Sequence, residues 1–332
     1  MAYRFAILLA VLGLLAGATA GLDLYVEPTG DDAADGSAGA PWRTIQHAVR
    51  QAQPGDVVLV GSGFYVESVR LDVSGTADAP ITLRAQPGAV LVPPSAASPE
   101  GVDVAAGAGH LLLDGLSIAG FAESIMLRPG AHDVVIRDCT VQAGTVGIWI
   151  AGATRVVVEG CTLRDNRLGL RVSGAASAIE VRDTVSLAND DGFGCSGDAD
   201  SFSVEETARD VRFVGCAALA NGEDGFDLQG DEVVVERSES RANGCSGLKL
   251  GQHARVENSL VVENGTGIAI GSFFGAPVRS EIVNSTIADN SGVQLLLRAR
   301  PEAVEAPSAV RLCNLIVAGP GKLLEAEWPL ML

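Results

Sequence analysis

Residues 132–152 read HDVVIRDCTVQAGTVGIWIAG, and residues 154–174 restate the pattern without a gap as TRVVVEGCTLRDNRLGLRVSG. Each copy holds a strand-like alternating run, a small-residue turn, a second short run, another turn, then Gly-apolar-x-apolar. Period-2 alternation over so few residues signals strands, not helices. Further copies begin at Ser177, Arg209, Asp231 and Ala254. An asparagine recurs in the second turn at 166, 189, 221, 243, 264 and 290, at spacings of 23, 32, 22, 21 and 26. Three short strands in about 22 residues predict one rung of a right-handed parallel β-helix, an all-β solenoid whose rungs stack about 4.8 Å apart. Leucine-rich repeats have similar length, but their leucine consensus and helix are absent. Stacked asparagines are expected to hydrogen-bond along the solenoid, and that structural role is their main one.

The flanks bound the rest. MAYRFAILLAVLGLLAGATAG has Arg4, an apolar run from Phe5 to Ala16 and Ala-Thr-Ala before Gly21. It predicts a secretory signal over residues 1–20, cleaved after Ala20, and places the protein outside the cytoplasm, in the periplasm or the medium. Residues 21–332 are then read as one β-helix domain. PWRTIQHAVRQAQPGD, residues 41–56, predicts an N-terminal capping helix with Ile45, Ala48 and Val49 on its apolar face and Pro-Gly at its end. The ending EAEWPLML gives no clear cap.

The net charge of −18 argues against nucleic acid or an anionic membrane as partner, and the protein is read as a monomer. Of six cysteines, Cys139, Cys161 and Cys216 occupy equivalent repeat positions, which fits a buried ladder of small side chains as well as it fits disulfides. The four histidines are scattered in sequence and suggest no zinc site.

Strand side chains alternate, so the x of Gly-apolar-x-apolar points outward. Down successive rungs x reads Trp149, Arg171, Gly194, Asp227, Lys249, Ala269 and Gln294. Asp227 and Lys249 should therefore be neighbours on one outer face. The 32-residue spacing marks a rung about ten residues longer, with its insert near GDADSFSVEET, which brings Asp198 and Asp200 toward that face. The turn NGEDGFDL, residues 221–228, adds Glu223 and Asp224 beside Asp227.

Calcium takes six to eight oxygen ligands, commonly carboxylates, and Asp200, Glu223, Asp224 and Asp227 would offer four side chains. The alternative is a set of solvated turn carboxylates. Lys249 stands out because only it and Lys322 are lysines among 23 basic side chains. Lysine can lose its proton in a suitable site and arginine effectively cannot, which suits Lys249 to a general base. The competing reading is an Asp227–Lys249 surface ion pair worth little. A uronic acid has an acidic C5 hydrogen beside its carboxylate. Calcium on that carboxylate with a lysine base would support β-elimination at C4. Arg171 and Trp149 would bind a neighbouring uronate and stack on a sugar ring.

NGEDGFDL followed by GLKLG resembles the signature of polysaccharide lyase family 9, calcium-dependent pectate lyases on the pectin-lyase-like right-handed β-helix. LYVEPTGDDAADGSAGAPWRTIQHAVRQAQPGDVVLVGSGFYVESV is similar to the family's entry segment, and DADSFSV to its segment carrying a further calcium aspartate. The resemblance implies Asp200, Glu223, Asp224 and Asp227 as calcium ligands, Lys249 as base and an acidic polysaccharide as partner. It departs where Glu223 replaces the usual aspartate, where Ser201 and Glu205 replace glycine and lysine, and where no loop separates the acidic turn from Lys249. The alternatives are a β-helix lyase acting on alginate or a glycosaminoglycan, or a non-catalytic carbohydrate-binding solenoid.

Overall fold

A computed structural model describes residues 21–95, 98–271, 277–298 and 309–326. The expected signal at 1–20 and most of the EAEWPLML ending lie outside the described residues.

Among the described residues three parallel sheets run along the solenoid, one of 12 strands and two of 11. One rung shows the plan. His132–Arg137 joins the first sheet, Thr140–Gln142 the second and Val146–Ala151 the third. Each strand pairs with its counterpart one rung on: Val134 with Val156, Val141 with Leu163 and Ile148 with Leu170. Inward residues of all three sheets meet in one apolar core that continues through the rungs.

The turns are short because each spends left-handed residues. Asp138 (φ 53°) follows the first strand and Ala143 (φ 57°) the second, and Asp183 and Ala188 repeat these positions. Asp and Asn tolerate this region better than most residues. The glycine of Gly-apolar-x-apolar answers a different demand. A Cβ on Gly247 would lie 2.4 Å from Val261 Cγ1 and 2.9 Å from Gly267 O.

The asparagines form the predicted ladder inside the second turn. Nδ2 of Asn189 donates to Asn221 Oδ1 at 2.8 Å, Asn221 to Asn243 at 2.8 Å, Asn243 to Asn264 at 2.9 Å and Asn264 to Asn290 at 3.0 Å. The same oxygens accept the preceding asparagine's backbone N–H, as at Asn243 Oδ1, 3.1 Å from Asn221 N. Gly144 N–H caps one end on Asn166 Oδ1 at 3.0 Å. Gln294 closes the other, accepting from Asn290 Nδ2 at 2.7 Å.

Gln294 is thus fully buried and not an outward residue. The chain is one residue longer between Asn290 and Leu295 than between Asn264 and Ile268, so Leu296 pairs with Ala269 and takes the outward place. Cys139, Cys161 and Cys216 are buried free thiols at the first turn, with Thr184 between the last two, in a ladder of small side chains. Burial pushes the Cys216 thiol up to about 12.

The capping helix, Ile45–Gln51, buries Ile45, Ala48 and Val49, and Thr44 caps it by accepting His47 N at 3.2 Å. At the other end the strands Ala309–Cys313, Ile316–Ala318 and Lys322–Ala326 leave Leu312, Ile316 and Leu324 exposed.

Asn264→Ala removes the acceptor of both Asn243 donors and a donor to Asn290. With the Asn243 backbone N–H then buried and unpaired, we expect a stability loss of roughly 2–3 kcal/mol by chemical denaturation. A loss near zero would show that the ladder does not hold the rungs.

Candidate metal centre

The third sheet carries the site. Its outward positions run Met126, Trp149, Arg171, Ser203, Asp227, Lys249 and Ala269 by direct pairing. Asp227 lies beside Lys249, as the alternation predicts. Gly194 does not stand between Arg171 and Asp227; Ser203 does. The extra residues fall before DADSFSV and delay that rung's third strand to Phe202–Val204, leaving Gly194–Ser196 as a short 3₁₀ turn in the insert. Beneath the site Phe202 stacks on Phe226 with ring centroids 4.9 Å apart.

Carboxylate oxygens of Asp200, Asp224 and Asp227 lie within 4.8 Å of one another. Asp200 precedes the delayed strand, Asp224 sits in the acidic turn, and Asp227 faces outward from the next strand. Asp200 and Asp224 are buried. Asp200 Oδ1 accepts Asp224 N at 3.3 Å, and Asp224 Oδ1 accepts Ser246 N at 2.6 Å. Lys249 Nζ donates to Asp227 Oδ2 at 2.8 Å and lies 3.6 Å from Asp224 Oδ2. Gln229, which the sequence did not single out, donates to Asp227 Oδ1.

Glu223 stands outside this trio, and its Oε2 accepts Ala199 N at 3.0 Å. Asp198 lines the adjoining cleft of about 300 Å3, but its carboxylate pairs with Arg167 at 3.5 Å. Arg171 lies in the same cleft, 5.2 Å from the Trp149 ring centroid, and its Nε donates to Glu205 at 2.7 Å. Trp149 Nε1 donates to Ser173 at 2.7 Å. The Glu205 that replaces a lysine in the resemblance is thus the partner of Arg171.

The histidines are less scattered than their sequence positions suggest. The His110 and His132 rings meet at 5.3 Å beside Asp133, because adjacent rungs superpose distant residues. Arg155 binds both Asp133 oxygens, at 2.8 and 2.7 Å, and holds that carboxyl well below its ordinary range.

The electrostatics of the aspartate trio fit a cation. Burial, then Asp227, Asp224 and Glu223, raise the Asp200 pKa well above the usual carboxylate value. Burial, then Asp227, also raises Asp224. Lys249 opposes both shifts. Burial acts to strip the Lys249 proton, but Asp227, Asp224 and Asp200 outweigh it and raise its pKa. Three carboxylates facing one ammonium leave excess negative charge that a hard divalent ion would neutralise.

The family model for the Pel9A-like right-handed beta-helix region matches residues 24–294, and the chain belongs to that family. It is 40% identical over 80 residues to pectate lyase PEL9 of Emericella nidulans, which is 24% of this chain and 20% of that protein. It is 28% identical over 141 residues to the uncharacterized protein YwoF of Bacillus subtilis, 40% of this chain and 26% of YwoF. The chain thus matches about a quarter or less of these relatives' lengths. Among solved structures, pectate lyase Pel9A superposes with a TM-score of 0.58 at 21% identity, over 87% of this chain and 80% of that one. The A-module of the mannuronan C-5 epimerase AlgE4 of Azotobacter vinelandii gives 0.62 at 14%, over 83% and 90%. These likenesses show the fold.

A carboxyl with a raised folded pKa binds more protons folded than unfolded, so its contribution to stability falls as pH rises above the ordinary carboxylate value of about 4. In chelator, Asp200→Asn should therefore be more stable than the parent at neutral pH, with the advantage shrinking toward pH 4. Calcium should stabilise the parent and not the variant. Thermal melts with and without calcium check both, and equal melting temperatures for the two metal-free proteins would contradict the assigned repulsion.

Proposed function

We propose that the protein is a secreted, calcium-dependent polysaccharide lyase that cleaves polygalacturonate by β-elimination. The observation that carries this reading is the pairing of Asp227 with Lys249 on adjacent rungs, beside the buried Asp200 and Asp224. Membership of the Pel9A-like family supports it.

Asp200, Asp224 and Asp227 would hold the cation, with Glu223 completing the acidic turn through its bond to Ala199. A calcium ion held there would supply charge neutralisation to the substrate carboxylate and to the enolate-like charge that develops beside it. Lys249 keeps its proton in the free site because Asp227, Asp224 and Asp200 face it. A cation on those carboxylates would weaken their hold, and Lys249 Nζ would be the group that takes the C5 proton. The C5–H electrons form the C4–C5 double bond as the C4–O bond breaks. The outward row places Trp149 and Arg171 on the same face, where Trp149 stacks on a sugar and Arg171 meets a neighbouring uronate after leaving Glu205.

Ultraviolet absorbance of polygalacturonate incubated with the protein tests the reading. Unsaturated product should accumulate with calcium, stop with chelator and fall about 10²–10⁴-fold in both Lys249→Ala and Lys249→Arg, since arginine keeps the charge without supplying a base. Trp149→Ala should raise KM more than it lowers kcat. A flat trace on polygalacturonate but turnover on alginate moves the substrate, and calcium binding without turnover on either leaves a binding solenoid.

A further inference from the structure

The insert 190–199 is tied to rungs on both sides of its own. Asp191 accepts the backbone N–H groups of Phe193 and Asp198, each at 2.9 Å, and folds the insert back on itself. Arg167, from the preceding rung, lies 3.5 Å from both Asp191 and Asp198. Glu223, from the following rung, holds Ala199 N at 3.0 Å. Two rungs on, Cys245 forms a disulfide with Cys195, their Cα atoms 5.6 Å apart. The insert therefore crosses over the acidic turn as a strap.

The disulfide joins the branch that carries Asp200 to the turn stacked on the acidic turn one rung further on. Cys195 is five residues before Asp200. Cys245 immediately precedes Ser246, whose N–H holds Asp224 Oδ1 at 2.6 Å, and Cys245 N donates to Glu223 O at 3.1 Å. Inside the site the Asp200 and Asp224 branches meet through the 3.3 Å bond from Asp224 N to Asp200 Oδ1. The disulfide spans the acidic turn from outside, fixing the Asp200 branch to the turn whose backbone holds Asp224 and Glu223. Cys195 is exposed and Cys245 partly so, whereas Cys139, Cys161 and Cys216 are buried.

We propose that the Cys195–Cys245 bond makes the cation affinity of the Asp200–Asp224–Asp227 group redox-dependent, an inference that rests on the cation site described under Proposed function. A dithiol reductant delivers two electrons and two protons. The S–S bond breaks, Cys195 and Cys245 become thiols, and the reductant leaves as its own disulfide. The strap then keeps its polar ties to Arg167, Asn166 and Glu223 but loses its covalent one, and Asp200 loses part of its preorganisation toward Asp224. Groups that orient metal ligands from behind commonly set affinity by 10–100-fold, so reduction should weaken calcium binding about tenfold or more. Glu223 acts here as a positioning residue for the strap.

Calcium titration calorimetry on the purified protein, oxidised and after dithiothreitol, tests this, with circular dichroism confirming the fold in each state. Weaker binding on reduction, recovery on reoxidation, and a Cys195→Ser variant already weak and insensitive to dithiothreitol are the expected results. Limited proteolysis should cut within 190–199 only after reduction. Unchanged calcium affinity in folded, reduced protein overturns the redox inference and leaves the cation site standing. No calcium binding in the oxidised protein, or binding indifferent to Asp200→Asn, instead removes the site reading itself. If Cys195→Ser does not fold, the reduced parent protein decides alone.

Discussion

Everything on the outer face depends on register, and register is held from within by the asparagine ladder. Each rung could slide against the next by two residues and still bury apolar side chains. A buried amide cannot slide without leaving donors and acceptors unpaired in an apolar interior. From Asn189 to Asn290 each Oδ1 takes the backbone and side-chain N–H of the asparagine before it, so the six rungs from Asn166 onward share one phase. That phase places Asp227 opposite Lys249 and Trp149 opposite Arg171.

On this rigid frame the aspartate trio is a local liability. Two of its members are buried, and their raised pKa values record the cost of ionising them together. A protein built for stability alone would place serine or asparagine there, as neighbouring rungs do at other buried positions. Cation binding would convert the same repulsion into affinity. It would also change the surroundings of Lys249, whose ion pair with Asp227 and basic role in the proposed reaction would be two states of one electrostatic balance.

Much of this was legible in the sequence because a solenoid turns a linear period into spatial proximity. The rung, the three strands, the asparagine ladder, the capping helix and the Asp227–Lys249 pair all follow from counting. Counting failed where a rung departs from the period. The extra residues after Asn189 hid Ser203 behind Gly194, and one added residue after Asn290 sent Gln294 inward as the ladder's terminus. The Cys195–Cys245 bond carried a faint signal, since both cysteines stand out of phase with the three at the first turn. Glu223 could not be told from its acidic neighbours, because the sequence does not say that the insert's backbone reaches it. The meeting of His110 and His132 was readable in principle, as they lie 22 residues apart.

The insert begins directly after a ladder asparagine. Asn189 passes its hydrogen bonds to Asn221 as though nothing intervened, although ten more residues separate them than in an ordinary rung. Loop length and stacking phase are thus independent variables at this junction. The ten extra residues leave Phe202 and Val204 paired with Leu170 and Val172 on the rung before. The segment after Asn189 is consequently a natural graft point, where a solenoid of constant pitch acquires a differently shaped cleft and where a designer could install a longer loop beside Asp227.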